Sequence, residues 1–236
     1  MVARILTTAV LAGAGAGLIA ALLQLAFVQP VLLQAELYER GALTHFGTAT
    51  PAATSSAPTG PGGFQPLRDG LSVIFAMLVY CGYALIAVAL MALAEARGAR
   101  IDARTGLVWG LAGFVAVYLA PGFGLPPEVP GVAAADLQAR QIWWAGTAAA
   151  SAAALWLIAF GRTYAAWGAA VVLLLVPHLI GAPQPAAPSG PVPPEIAALF
   201  AARALGVGMA AWVVLGGFAG RIWAGDAQRA AQPTVA

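Results

Sequence analysis

The chain is predicted to be all-α: a polytopic integral membrane helix bundle of about six transmembrane segments, five being the alternative, with both termini on the cytoplasmic side (N-in/C-in). Three observations predict this. Of its 236 residues 61% are hydrophobic and only 8% charged, against roughly a quarter charged in soluble globular chains. The apolar residues gather into runs long enough to approach the roughly 20 residues that cross a hydrocarbon core about 30 Å thick. The arginines fall between those runs with a strong bias to alternate loops.

The first run, about Ile5 to Leu33, has few polar interruptions, namely Thr7, Thr8, Gln24, Gln29 and Pro30. A secretory signal has an apolar core of about 7 to 15 residues, so an uncleaved first helix is expected. Residues 47 to 63 are built from Thr, Ala, Ser, Pro, Gly and little else; that composition cannot bury a core and predicts a flexible outer loop. The second run is about Leu71 to Ala94. The third, Gly106 to Ala120, would reach only about 22 Å as a helix; it uses part of its flanks, thins the bilayer, or stops early against a folded-in loop. Runs four to six are about Ile142 to Phe160, Tyr164 to Ile180 and Ile196 to Ala219. Residues 1 to 225 thus read as one transmembrane domain and 226 to 236 as a short disordered cytoplasmic tail.

With the N-terminus inside, the inner ends carry Arg4, Arg97, Arg100, Arg104, Arg162, Arg221 and Arg229, and the outer ends Arg40, Arg68 and Arg140. Positive loops stay cytoplasmic, so this asymmetry favours six crossings in a plasma membrane. Trp143 and Trp144 at the outer end of run four and Trp223 at the inner end of run six fit an interfacial aromatic belt. Gly13 with Gly17, and Gly216 with Gly220, are spaced to let helices approach closely. The small-residue run from Ala145 to Ala154 offers a similar smooth face, and these faces leave room for a homo-oligomer.

Composition also excludes functions. The eleven Lys or Arg residues are all arginines, and all but Arg203 stand at or near segment ends, so there is no basic stripe for nucleic acid; the expected surroundings are the lipid bilayer. The single Cys81 precludes an internal disulfide and a cysteine-based zinc or iron-sulfur site, and it reads as a packed core residue. No Walker A pattern is present. No nucleophile-base pair stands at motif spacing, so an enzyme is not expected.

Three proline-bearing stretches follow the outward-running segments: VQPVLLQAELYER (Val28 to Arg40), APGFGLPPEVPG (Ala120 to Gly131) and VPHLIGAPQP (Val176 to Pro185). The topology gathers them on the outer face with Glu36, Glu39, Asp69, Glu128, Asp136, Glu195 and both histidines. Acidic residues accumulate where arginines do not, which accounts for this in the plainest way. The sharper reading is a vestibule whose carboxylates and imidazole hold a cation transiently. Glu36 and Glu39 share a helix face if the helix continues past Pro30, with Arg40 as the competing counter-ion. Oxygen and imidazole donors suit divalent cobalt, nickel, manganese or zinc.

The candidate metal contacts are therefore His178, Glu36, Glu39, Glu128 and Glu195. His178 has three readings: a structural interface histidine bonded to a proline-freed carbonyl, a metal contact, or a proton relay. His45, beside the flexible loop, is expected to be solvent-exposed. Gln24, Gln29, Arg140 and Arg203 are the pathway or structural polar residues. Arg203 lies about 12 Å into run six if that run starts near Glu195, where it pairs with a carboxylate, holds a helix break, or acts in gating.

The ordered set QLAFVQPVLLQAELYE, GLPPEVPG, ARQIWW and PHLIGAPQP, spread from about residue 4 to residue 220, resembles the CbtA family of predicted cobalt transporter subunits. The resemblance implies a polytopic membrane subunit for cobalt uptake toward cobalamin synthesis, usually drawn with five spans. It implies no permanently bound cofactor, Co2+ as cargo, and a small single-span, histidine-rich partner of the CbtB kind. It also marks Gln24, Gln29, Glu36, Glu39, Glu128, His178 and Glu195 as the polar motif positions. From another class, a structural or assembly subunit of a larger membrane complex is the alternative.

Overall fold

A computed structural model describes residues 1–44 and 65–231, with side chains through Asp226. His45, the whole of the loop at 47 to 63 and the end of the tail lie outside the described residues. Within them the chain is a set of helices, with longer connections at 123–136 and 181–193: α1 (Val2–Leu23), α2 (Gln29–Glu39), α3 (Pro66–Glu95), α4 (Ala103–Phe114), α5 (Ala120–Gly122), α6 (Leu137–Phe160), α7 (Tyr164–Ile180) and α8 (Pro194–Ala231). Five-residue π-helical turns, Gln24–Val28 and Val115–Leu119, join α1 to α2 and α4 to α5.

Five of the resulting helices are long and apolar enough to cross a membrane: Val2–Glu39, Pro66–Glu95, Ala103–Gly122, Leu137–Phe160 and Pro194–Asp226. The third run, expected to be only fifteen residues, is twenty because helix continues at both ends. At the start Asp102 accepts a hydrogen bond from the Thr105 amide, and the Thr105 hydroxyl accepts from the Asp102 amide, a reciprocal capping box that satisfies two otherwise orphan donors. At the far end the π turn carries the helix on to Gly122. Tyr164–Ile180, at 17 residues, is the shorter apolar helix. It is joined to α6 by three residues, and the Trp143 indole N–H near the start of α6 donates to the Pro177 carbonyl near the end of α7 at 3.1 Å. The two therefore form an antiparallel hairpin.

Helix ends follow local chemistry. Asp136 and Thr163 accept from the amides of Ala139 and Ala166 to cap α6 and α7. Gly98 after α3 and Gly181 after α7 take φ values of 91° and 85°, a left-handed region that costs glycine nothing. At its end α8 runs on to Ala231, through part of the expected tail.

The chain divides into two compact units, Met1–Leu23 with Leu67–Val115 and Val207–Ala236, and Gln24–Pro66 with Ala116–Gly206. The first is built on glycine contacts. A methyl group on Gly13 or Gly17 of α1 would meet the backbone of Cys81 or Met77 on α3, and one on Gly106, Gly216 or Gly220 would collide with the backbone of the facing helix in the α4–α8 pair. Both glycine pairs legible in the sequence are therefore helix-packing contacts. Cys81 is half-buried and unbridged, its thiol 3.7 Å from the Val10 carbonyl. One end of this unit is tied by Arg4, which donates to the Trp223 carbonyl at 2.6 Å and lies 3.6 Å from Glu95.

Candidate functional site

The second unit holds every candidate metal contact. Its centre is an apolar knot in which Val31 and Ala35 of α2, Val129 of the α5–α6 connection and Ile196 of α8 are buried, with Tyr38, Val132, Val192 and Phe200 packed around them. The Ala133 amide donates to the Ser189 carbonyl at 2.8 Å, and Gly131 lies against the Glu39 methylenes and Pro191. The first two proline-bearing stretches thus meet, as expected. They meet through apolar side chains, because burying them is what drives the chain together there. Glu36, Glu128 and Glu195 each adjoin a knot residue in sequence, which leaves the carboxylates at its rim.

The rim carboxylates are not equivalent. Glu36 is ion-paired with Arg40 one helical turn on, and Glu128 with Arg140 at 2.6 Å. A cation approaching either must displace a guanidinium. Glu39 and Glu195 are exposed and have no ion pair among the described residues, so they are the carboxylates open to a cation. Asp69, counted with the outer acids from sequence, is instead buried to 2% in the first unit, against the Arg68 Nε at 3.0 Å. Nothing in its sequence neighbourhood signals that burial.

His178 belongs to a second grouping. It is exposed at the end of α7, its ring edge-to-face with Phe123 and Trp143 at centroid distances of 6.1 and 6.0 Å. The Pro177 carbonyl accepts from the Gly181 amide at 3.1 Å and from the Trp143 indole. The Trp143 indole is thus a second donor to a carbonyl that already has a backbone partner. Gly124 packs between Trp143 and Ala182, and the Gln184 amide reaches the Gly124 carbonyl at 3.4 Å, joining the second and third stretches. Among the described residues no three His, Cys, Asp or Glu side chains converge as a ligand set for a metal ion.

Gln24 and Gln29 bracket the first π turn, Gln24 exposed and Gln29 half-buried. In both π breaks one residue separates the turn from a proline, Pro30 or Pro121. Proline supplies no N–H, so a carbonyl in each turn loses its helical partner, and single π turns inside helices recur at functional sites. The recurrence of proline six residues after Gln24 and after Val115 is the signal from which these breaks could have been read. Arg203 of α8 answers the first of them: its Nη1 donates to the Phe27 carbonyl at 2.9 Å. Between Arg203 and Arg221 lie seventeen residues with no charge, about 25 Å of helix and close to one hydrocarbon thickness. Arg203 therefore lies at one end of this uncharged stretch, and it holds a helix break.

Comparison with known families gives one result. The family model described as "Probable cobalt transporter subunit (CbtA)" matches residues 2–224. No curated protein and no solved structure matches the chain.

Proposed function

The chain belongs to the CbtA family of probable cobalt transporter subunits, and on that premise we propose that it is the membrane permease subunit through which a divalent transition metal, Co2+, is taken up across the plasma membrane. The match across nearly the whole chain is the observation that carries this reading, and the five spanning helices support it.

In the proposed path the exposed Glu39 and Glu195 raise the local concentration of the divalent cation at the outer face. The exposed imidazole of His178, held by its aromatic bracket, offers the nitrogen donor that cobalt accepts alongside oxygen. Glu36 and Glu128 stay paired with Arg40 and Arg140 and shape the entrance. On this reading the end of the first unit tied by Arg4 faces the cytoplasm, and α7 crosses the membrane beside α6 as a sixth span.

A second reading is favoured by one observation, the lack of a convergent set of three ligating side chains among the described residues. A subunit that supplies helix faces and capture groups while a partner completes the metal site would look like this, and a single-span, histidine-rich chain of the CbtB kind fits that partner. Uptake of radioactive cobalt by cells stripped of other cobalt importers separates the outcomes. Uptake lost on deleting this chain and restored by it alone supports the permease; restoration only together with a partner supports the second reading; uptake unaffected by deletion refutes both.

A further inference from the structure

Arg203 is the residue for which capture of a cation at exposed carboxylates has no direct use. A positive charge does not attract Co2+, and among the described residues no carboxylate pairs with it. Its position in the fold gives it another role. Ile196, Phe200 and Arg203 are spaced four and three residues apart on α8, which places them on one face of that helix. Phe27, Val31 and Ala35 are spaced by fours along the π turn and α2. Ile196 is buried in the knot with Val31 and Ala35, Phe200 packs against that knot, and Arg203 bonds the Phe27 carbonyl. The contact is an apolar zipper between α2 and α8, closed at its base by a charged hydrogen bond.

The base is where the zipper needs closing. Pro30 supplies no amide to the π turn that precedes α2, so a carbonyl of that turn is left without its helical donor. A guanidinium gripping a carbonyl of the π turn restores a fixed point, and hydrogen bonds involving a charged group are worth more than neutral ones. Beyond that point α2 carries Glu36 and, at its last turn, the open carboxylate Glu39, whose methylenes rest on Gly131.

We propose that Arg203 is a positioning residue for cation capture: by holding the Phe27 carbonyl it sets the seat of α2 and so the place of Glu39 at the outer face. The inference rests on the permease reading above. It assigns Arg203 a hydrogen-bonding role and no contact with the metal.

The test is the concentration dependence of cobalt uptake in cells, with membrane abundance measured for each variant. Wild-type chain that supports no uptake would refute the permease reading itself; with wild-type uptake established, the variants judge Arg203. Arg203→Met keeps length without a donor and is expected to raise the apparent KM about tenfold, roughly 1.4 kcal/mol of lost capture, at unchanged maximal rate per inserted molecule. Arg203→Lys keeps a donor on a long stem and is expected to stay within about threefold of wild type. Arg4→Met, at the other end of α8, is expected to lower abundance without moving KM, as a purely structural change would. A wild-type KM for Arg203→Met, or an Arg203→Lys as impaired as Arg203→Met, overturns the proposal. Should Arg203→Met fail to reach the membrane, Ile196→Ala, which loosens the same zipper without touching a charge, carries the test: a raised KM supports the proposal and an unchanged one overturns it.

Discussion

The guanidinium of Arg4 lies 3.7 Å from the centroid of the Trp223 ring and donates a hydrogen bond to the backbone carbonyl of the same residue at 2.6 Å. One side chain at the start of α1 thus grips both the ring and the backbone near the end of α8, with Glu95 of α3 at 3.6 Å as counter-ion. The ion pair, about a third exposed, contributes little in water; the stacking and the charged hydrogen bond contribute most of the stabilisation. Replacing Arg4 by Met should cost about 2 kcal/mol and lower the melting temperature of the detergent-solubilised protein by several degrees. Glu95→Gln should cost far less. Equal losses from the two changes would show that the ion pair dominates.

The α4–α8 contact admits no added atom. A methyl on Gly110 would press into the Trp212 carbonyl and the Val213 backbone, whereas one on Gly146 of α6 meets nothing within 4 Å. Gly110→Ala should destabilise by at least about 1–3 kcal/mol, since backbone cannot step aside as a side chain can. Gly146→Ala should be neutral or stabilising by up to about 1 kcal/mol through helix propensity. Monodisperse yield in mild detergent and thermal denaturation of the two variants will check the contrast.

Glu39→Gln and Glu195→Gln should each raise the apparent KM for cobalt about tenfold, the effect of roughly 1.4 kcal/mol expected for one carboxylate charge acting on a divalent cation over about 6 Å of water. The effect should shrink as salt screens it. Glu36→Gln and Glu128→Gln should do less, because their charges are already matched by Arg40 and Arg140. Uptake curves at low and high ionic strength read this out, and four equal effects would remove the distinction between open and paired carboxylates.

At equal membrane abundance, His178→Ala should lower cobalt uptake more than His45→Ala does. His178 is held between two aromatic rings while its imidazole stays exposed. Equal effects of the two substitutions would argue against an ordered donor at residue 178.

The hydrogen bond from the Thr105 amide holds the Asp102 carboxyl below the ordinary aspartate range, against an opposing effect of desolvation and aided by the Thr105 hydroxyl, the Arg104 amide and the nearby charge of Arg100. A lowered folded pKa means that the cap stabilises the fold fully above the unfolded value, and that this contribution is lost as pH falls through the folded one. Thermal stability should therefore decline on acidification below the normal aspartate range, and Asp102→Asn should flatten that part of the profile. An unchanged acid limb in the variant would assign the decline to other carboxylates.

The membrane class and most of the helices were legible because burying apolar surface in lipid acts on composition and run length, which a sequence displays directly. Gly13, Gly17, Gly216 and Gly220 were legible as close-packing residues for the same reason of size. Pairing was not. Glu36 and Glu39 look alike in the string, yet Arg40 takes one and leaves the other open. Glu128 finds Arg140 twelve residues away, and the burial of Asp69 beside Arg68 is not announced by its neighbours.

By itself, then, the sequence determined a helical membrane protein of the cobalt-transporter-subunit kind, since hydropathy and ordered motifs are properties of the chain read in line. Only the tertiary structure decided that the Trp143 indole reaches the Pro177 carbonyl, and that Arg203 reaches back 176 residues to Phe27. Those are choices of partner among distant groups. They are settled by which side-chain donors the packed helices bring within reach of a distant carbonyl, a quantity that exists only in three dimensions.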